Sequence, residues 1–269
     1  MSAGARLAEL LDRLIEADEY RAKERLTRAA ERAASRDLAA AFRAQGAAFM
    51  SATRAVRGQF PTIEAPRPQE WDRLLERALA ATRARFVRIL GRLGRESTRL
   101  GARRLIATLA LGGSFSLRNP RAVEFLRRFG ADRVAGLEAT TRDDMRRILS
   151  TAVDNGWSYT RTQMEIRRTF EGYSRARAQQ IAITEAAFAY EHGRAVVVAD
   201  LADQGARFEK FWLTVRDAKV DPICAANESD GWIAADLDFS SSDATPPAHP
   251  GCRCVTLYRG SGPGAAEVL

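Results

Sequence analysis

Four side chains that could do chemistry crowd into the last 46 residues: Cys224, His249, Cys252 and Cys254. Together they supply three thiols and one imidazole, enough donors to close a tetrahedral zinc site of the structural kind. The His-x-x-Cys and Cys-x-Cys spacings put three of them within six residues. Cys224 has to arrive from a separate loop, so a bound zinc would staple two loops that lack a large core of their own. Asp221 stands three residues before Cys224, where a Cys-x-x-Cys pair would have its first thiol, and its carboxylate could substitute for one ligand. Three other readings stay open. Two thiols could form a disulfide, Cys224 could serve as a small buried hydrophobe, and His249 could merely shape a turn before Pro250. Clustered cysteines beside a histidine, in a chain without a visible signal peptide, favour metal over disulfide.

The elements that must hold this cluster are mostly helical. Residues 3–57 are rich in Ala, Leu, Arg and Glu, all good helix formers. Leu7, Leu10, Leu11, Leu14 and Ile15 follow the spacing of one helix face, which either packs in a bundle or docks on another chain. Pro61, Pro66 and Pro68 interrupt the pattern, and helical spacing resumes from Gln69 to Leu111, where Gly112-Gly113 stops it. Asn119-Pro120 reads as an N-cap with proline at the first helical position. Gly130 should end that helix, and Thr140-Thr141-Arg142-Asp143-Asp144 should start another, closed by Asn155-Gly156. Further helices are expected over 158–170 and 174–202. After Gly205 the pattern changes: 207–215 and 255–258 read as strands, with a Ser-, Asp-, Pro- and Gly-rich loop between them. The fold class is therefore mainly α with a small C-terminal β/loop module (α+β) that zinc could staple. The segments are 1–60 (N-terminal helical), 69–204 (helical core), 205–260 (the Cys/His-containing β module) and 261–269 (a flexible tail).

Composition narrows the class further. Hydrophobic residues make up 46% and charged residues 28%, as in ordinary folded proteins. The longest apolar runs, such as 195–199, are far too short to span a bilayer. With no apolar h-region near Met1, the expected residence is the cytoplasm. Charge is uneven: 38 basic against 26 acidic residues precede Arg216, and 4 against 8 follow from it. Arginine supplies nearly all the positive charge, Lys23, Lys210 and Lys219 being the only lysines. Such a surface suits non-specific contact with a polyanion such as DNA, although solvated helix faces would look the same. No helix-turn-helix or RNA-recognition signature is present.

The C-terminal half resembles the phage head morphogenesis family, the Mu protein F type of minor head protein. The residues that carry the likeness are Arg177-Ala178, Ile181-Ala182-Ile183-Thr184-Glu185 and Gly193-Arg194 on a long helix, then Trp212, Asp217, Pro222, Cys224, Gly231 and His249-Pro250-Gly251-Cys252-Arg253-Cys254. The likeness covers roughly 118–258. Two positions depart from the pattern: Asp221 replaces the first Cys of the family's loop, and Ile183 stands where Arg is common. The resemblance implies a non-enzymatic assembly component, present in few copies in procapsid or virion after synthesis in the host cytoplasm. Its implied partners are the portal and the major capsid or scaffold proteins, with some members binding DNA.

The remaining residues have plainer roles. Glu185 is expected to form an internal ion pair with a buried Arg such as Arg194, Asp217 to fix the turn after the strand, and Trp212 to lie in the core. His192 has no partner legible in the sequence and reads as a surface or core histidine. The competing function is a metal-dependent hydrolase or nuclease using Glu185, Asp217 and His249. Against it, four ligands would close the metal, and no Gly-rich phosphate loop, Gly-x-Ser-x-Gly elbow or His-Glu-x-x-His is found.

Overall fold

A computed structural model describes the backbone of residues 3–57 and 68–261, with side chains from residue 18 onward except 55–70, 153, 159, 173 and 174. The early leucine stripe and the proline-rich stretch before Pro68 therefore fall outside the described side chains. The elements are α1 (Ala3–Arg57), α2 (Pro68–Thr108), α3 (Pro120–Asp154), α4 (Tyr159–Gly172), a π-helical turn (Tyr173–Arg177), α5 (Ala178–Asp203), β1 (Phe208–Leu213), α6 (Pro222–Ser229), β2 (Ile233–Ala234) and β3 (Val255–Gly260). The protein is mostly helical, with a small three-stranded antiparallel sheet in the order β2-β1-β3.

Several helix ends have the causes expected from sequence. The Asn119 side chain accepts from the Arg121 and Ala122 amides at 2.9 and 3.3 Å, capping α3 ahead of Pro120. Gly156 follows α3 with φ of +60°. The break expected at Gly130 does not occur, because α3 runs on to Asp154. A Cβ at Gly130 would lie 3.2 Å from the Val87 carbonyl oxygen, so this glycine permits a close helix approach rather than a stop. The expected capping hydroxyls, Thr140 and Thr141, instead donate to Gly136 O and Leu137 O one turn back, at 3.1 and 2.8 Å. In the loop expected between the strands, α6 and β2 appear. Asp221 caps α6, its Oδ1 accepting from Ile223 N at 3.0 Å, and Pro222 occupies the first turn.

The chain folds into two compact units. One comprises residues 32–92 and 126–182, and its core gathers Phe49, Trp71, Leu74, Leu75, Leu79, Met145, Ile166 and Phe170. Arg83 clamps Glu138 with two bonds of 2.9 and 2.7 Å. The other comprises residues 1–31, 93–125 and 183–269 and holds the sheet. In this unit α2 and α5 meet through two glycines. A Cβ on Gly101 would stand 1.9 Å from Tyr190 O, and one on Gly193 would stand 2.0 Å from Thr98 O. Each helix thus presents a glycine to the other's backbone, which explains Gly193 in the Gly-Arg signature. Beside this crossing, Ala102, Leu105, Leu109, Val197, Val198 and Tyr258 pack helices onto sheet.

Candidate metal centre and the buried ion cluster

A second core of the sheet-bearing unit contains Trp212, Cys224, Phe239, Cys252 and Cys254. Within it, donor atoms of Cys224, His249 and Cys252 all lie within 4.8 Å of one another, and this trio could hold a metal ion. The first turn of α6 delivers Cys224, and the His249–Cys252 turn delivers the other two donors. That turn closes through Cys252 N donating to His249 O at 3.2 Å. Gly251 supplies the left-handed residue it needs, with φ of +79°.

The donor geometry fits a metal better than a disulfide. The Cys224 and Cys252 sulfurs are 3.7 Å apart, whereas a disulfide needs about 2.0 Å. Two sulfurs each about 2.3 Å from a tetrahedral zinc stand about 3.8 Å apart by trigonometry. All three cysteines are free and buried. The His249 Nδ1 lies 3.1 Å from Pro250 O. A carbonyl can only accept, so this bond calls for the tautomer protonated at Nδ1, in which Nε2 has the lone pair a metal requires. The thiols also divide their protons unequally. Hydrogen bonds from Cys224 and Cys254 draw Cys252 well below the usual thiol range. The same Cys252 contact pushes Cys224 up. Cys254 thus acts on both other sulfurs, while standing outside the 4.8 Å trio.

Immediately behind Cys254 lies a cluster of buried charges that sequence reasoning missed. Glu19 and Lys23 come from α1, Glu191 and Arg194 from α5, and all four are buried, Glu19, Glu191 and Arg194 at no more than 1% exposure. Arg194 donates to Glu19 Oε2 at 2.7 Å and to Thr256 O at 2.8 Å. Lys23 donates to Glu191 at 3.1 Å and to the Cys254 carbonyl, and Glu191 accepts from Thr256 N at 3.2 Å. Arg104 and Thr108 complete Glu19 at 2.8 and 2.7 Å. Since β1 takes one edge of β3, these charged side chains satisfy backbone groups that a further strand would otherwise pair, and so close the sheet edge. Burial pushes the Glu19 carboxyl up, but Arg194, Thr108 and Arg104 outweigh it and hold its pKa below 4.5.

The signature residues fall into distinct places. Arg194 is buried as expected, but its partners are Glu19 and Glu191 rather than Glu185. Nine residues along one helix put Glu185 about 13 Å away and on the opposite face. Trp212 is fully buried. Asp217 accepts from Lys219 N at 2.9 Å and from Arg253 at 2.8 Å, and these bonds lower its pKa. Gly231 follows α6 with φ of +72°. Thr184 Oγ1 accepts from Gly251 N at 2.9 Å. Asp221 serves α6 as its cap and is not part of the trio, and neither Glu185 nor Asp217 joins it. His192 stacks on Phe125 with ring centroids 3.7 Å apart, and burial lowers its pKa to about 4. One available signal pointed to the missed cluster. In a chain that writes nearly every cation as Arg, Lys23 and Lys210 are exceptions, and both are buried donors to carbonyls, of Cys254 and Ala244.

Among the described residues, no helix is long and apolar enough to cross a membrane. Residues 143–257 match the family described as phage Mu protein F like protein. The matched span contains the cysteine–histidine trio, Thr184, Arg194 and all of α5 and β1. No curated protein and no solved structure matches the chain.

Proposed function

We propose that this chain, which carries a phage Mu protein F-like domain over residues 143–257, is a minor head protein that joins portal and capsid during assembly and performs no catalysis of its own. The observation that carries this reading is the family match, since it spans the trio and most of the sheet that the buried charges lock. The donors are disposed as in a structural site. Two buried thiols and an imidazole come from α6 and from the separate His249–Cys252 turn, with Cys254 beside them to supply a fourth ligand. A zinc there would hold α6 to the His249–Cys252 turn and fix the C-terminal module as a rigid docking block. Purified chain mixed with portal rings of the same phage should comigrate with the rings in a density gradient. Migration as free protein at micromolar concentrations of both would contradict the portal contact.

A second reading, contact with packaged DNA, is favoured by α2. In the first unit Arg73, Arg77, Arg85 and Arg88 are exposed and fall within about 120° of one another around the helix. In the sheet-bearing unit the same helix carries exposed Arg95, Arg99 and Arg103 at four-residue intervals. Among the described residues, none of these seven has an acidic partner, in contrast to Arg83, Arg92 and Arg104 on the same helix. Free guanidinium groups in a row suit a phosphate backbone, and binding through them carries a steep salt dependence without sequence preference.

A further inference from the structure

Thr184, in the Thr184-Glu185 signature of α5, reaches from the helix to the His249–Cys252 turn. The turn that delivers two of the trio's donors depends on one residue between them: Gly251, in a left-handed conformation with open space where its Cβ would be. No side chain at that Cβ position holds the turn by packing. The Gly251 amide, however, donates to Thr184 Oγ1 at 2.9 Å, across 67 residues of sequence. α5 itself is a firm reference. Its backbone touches α2 at Gly193, and its Arg194 is locked between Glu19 and β3. Thr184 therefore joins this anchored helix to the middle of the His249–Cys252 turn.

We propose that Thr184 is a positioning residue for the metal. By accepting the Gly251 amide it holds His249 and Cys252 in the relative orientation that lets both reach one ion. The inference rests on the metal reading given above. A hydrogen bond behind the ligands fixes their direction before the ion arrives, and losing such a partner typically weakens metal affinity about 10- to 100-fold. Valine keeps the shape of threonine but removes the acceptor, whereas serine keeps the acceptor.

The test uses the full chain with Co²⁺ as the probe. Affinity is read by chelator competition, alongside hydrogen exchange at Gly251 and the melting temperature of the metal-free protein. The unaltered chain should bind one Co²⁺ with thiolate-to-cobalt absorption. Thr184→Val should bind about 10- to 100-fold more weakly, with faster Gly251 exchange and a metal-free melting temperature near that of the parent. Thr184→Ser should recover most of the affinity. Equal Co²⁺ affinity in the parent and Thr184→Val would overturn the positioning role while leaving the metal centre standing. A parent that binds no Co²⁺ would overturn the metal reading itself, and with it this inference. Should Thr184→Val fail to fold, Thr184→Ala takes its place, and parent-like affinity there overturns the proposal equally.

Discussion

Replacing Arg194 with methionine removes the central cation of the buried cluster while keeping an unbranched side chain of similar reach. Two hydrogen bonds vanish, to Glu19 at 2.7 Å and to Thr256 O at 2.8 Å. Glu19 retains Arg104 and Thr108, and Glu191 retains Lys23, so neither carboxylate is left bare. Each hydrogen bond to a charged group is worth about 1.5–3 kcal/mol, so losing two costs about 3–6 kcal/mol. At about 2–4 °C per kcal/mol for a protein of this size, the melting temperature should fall by about 6–24 °C. Arg194→Lys keeps the charge but not the two-pronged geometry and should fall between parent and methionine. Because two compact units need not melt together, hydrogen exchange at the β3 amides is the local reporter alongside the thermal melt. Acid gives a second readout. With the folded pKa of Glu19 below 4.5, its contribution is complete above the unfolded value and disappears as pH falls through the folded one. Without Arg194, burial is opposed less, the carboxyl titrates higher, and acid unfolding should begin at a higher pH. A methionine variant within about 1 kcal/mol of the parent, with unchanged β3 protection, would refute the view that these charges close the sheet edge.

Other outcomes follow from the same geometry. Gly193→Ala adds a Cβ 2.0 Å from the Thr98 carbonyl oxygen, which overwhelms the gain of about 1 kcal/mol in helix propensity. A thermal melt should show a clear loss, and a stabilised variant would mean that α2 and α5 do not meet there. His192, with its pKa lowered to about 4 by burial, favours the fold fully above its ordinary value of 6.5, and that benefit is lost as pH falls toward 4. His192→Phe should flatten the pH dependence of stability across that window, and an unaltered slope would place the acid sensitivity elsewhere. If the α2 arginines bind DNA, affinity should drop steeply between 50 and 200 mM salt, about 10³-fold for six or more phosphate contacts. Reversing Arg77 and Arg88 to Glu should weaken binding at every sequence tested, and a flat salt response would remove the DNA reading.

Local causes were legible in the sequence, and distant ones were not. Asn119-Pro120 and Asn155-Gly156 mark helix ends by chemistry contained within two residues, and the structure places the ends there. His249 and Cys252 stand close in the chain, and the distant Cys224 could be grouped with them because few residue types bind metals. Gly130 misled because a glycine that ends a helix and a glycine that admits a neighbouring backbone look identical until the neighbour, Val87, is known. Asp221 offers a carboxylate where a first thiol would stand, but Asp-Pro is also the start signal of α6. The buried charges were least legible, with 175 residues between Glu19 and Arg194 and 231 between Lys23 and Cys254. Glu185 and Arg194 are near in sequence, but the helix turns them to opposite sides.

The most direct test of the assembly role is quantitative mass spectrometry of procapsids and mature heads, purified from cells that produce the phage and washed at high salt. A head component should be found in the particles, at a few copies per portal and in constant ratio to it. Its absence from both particle types, with the protein recovered free in the lysate, would contradict the claim that it is a head component.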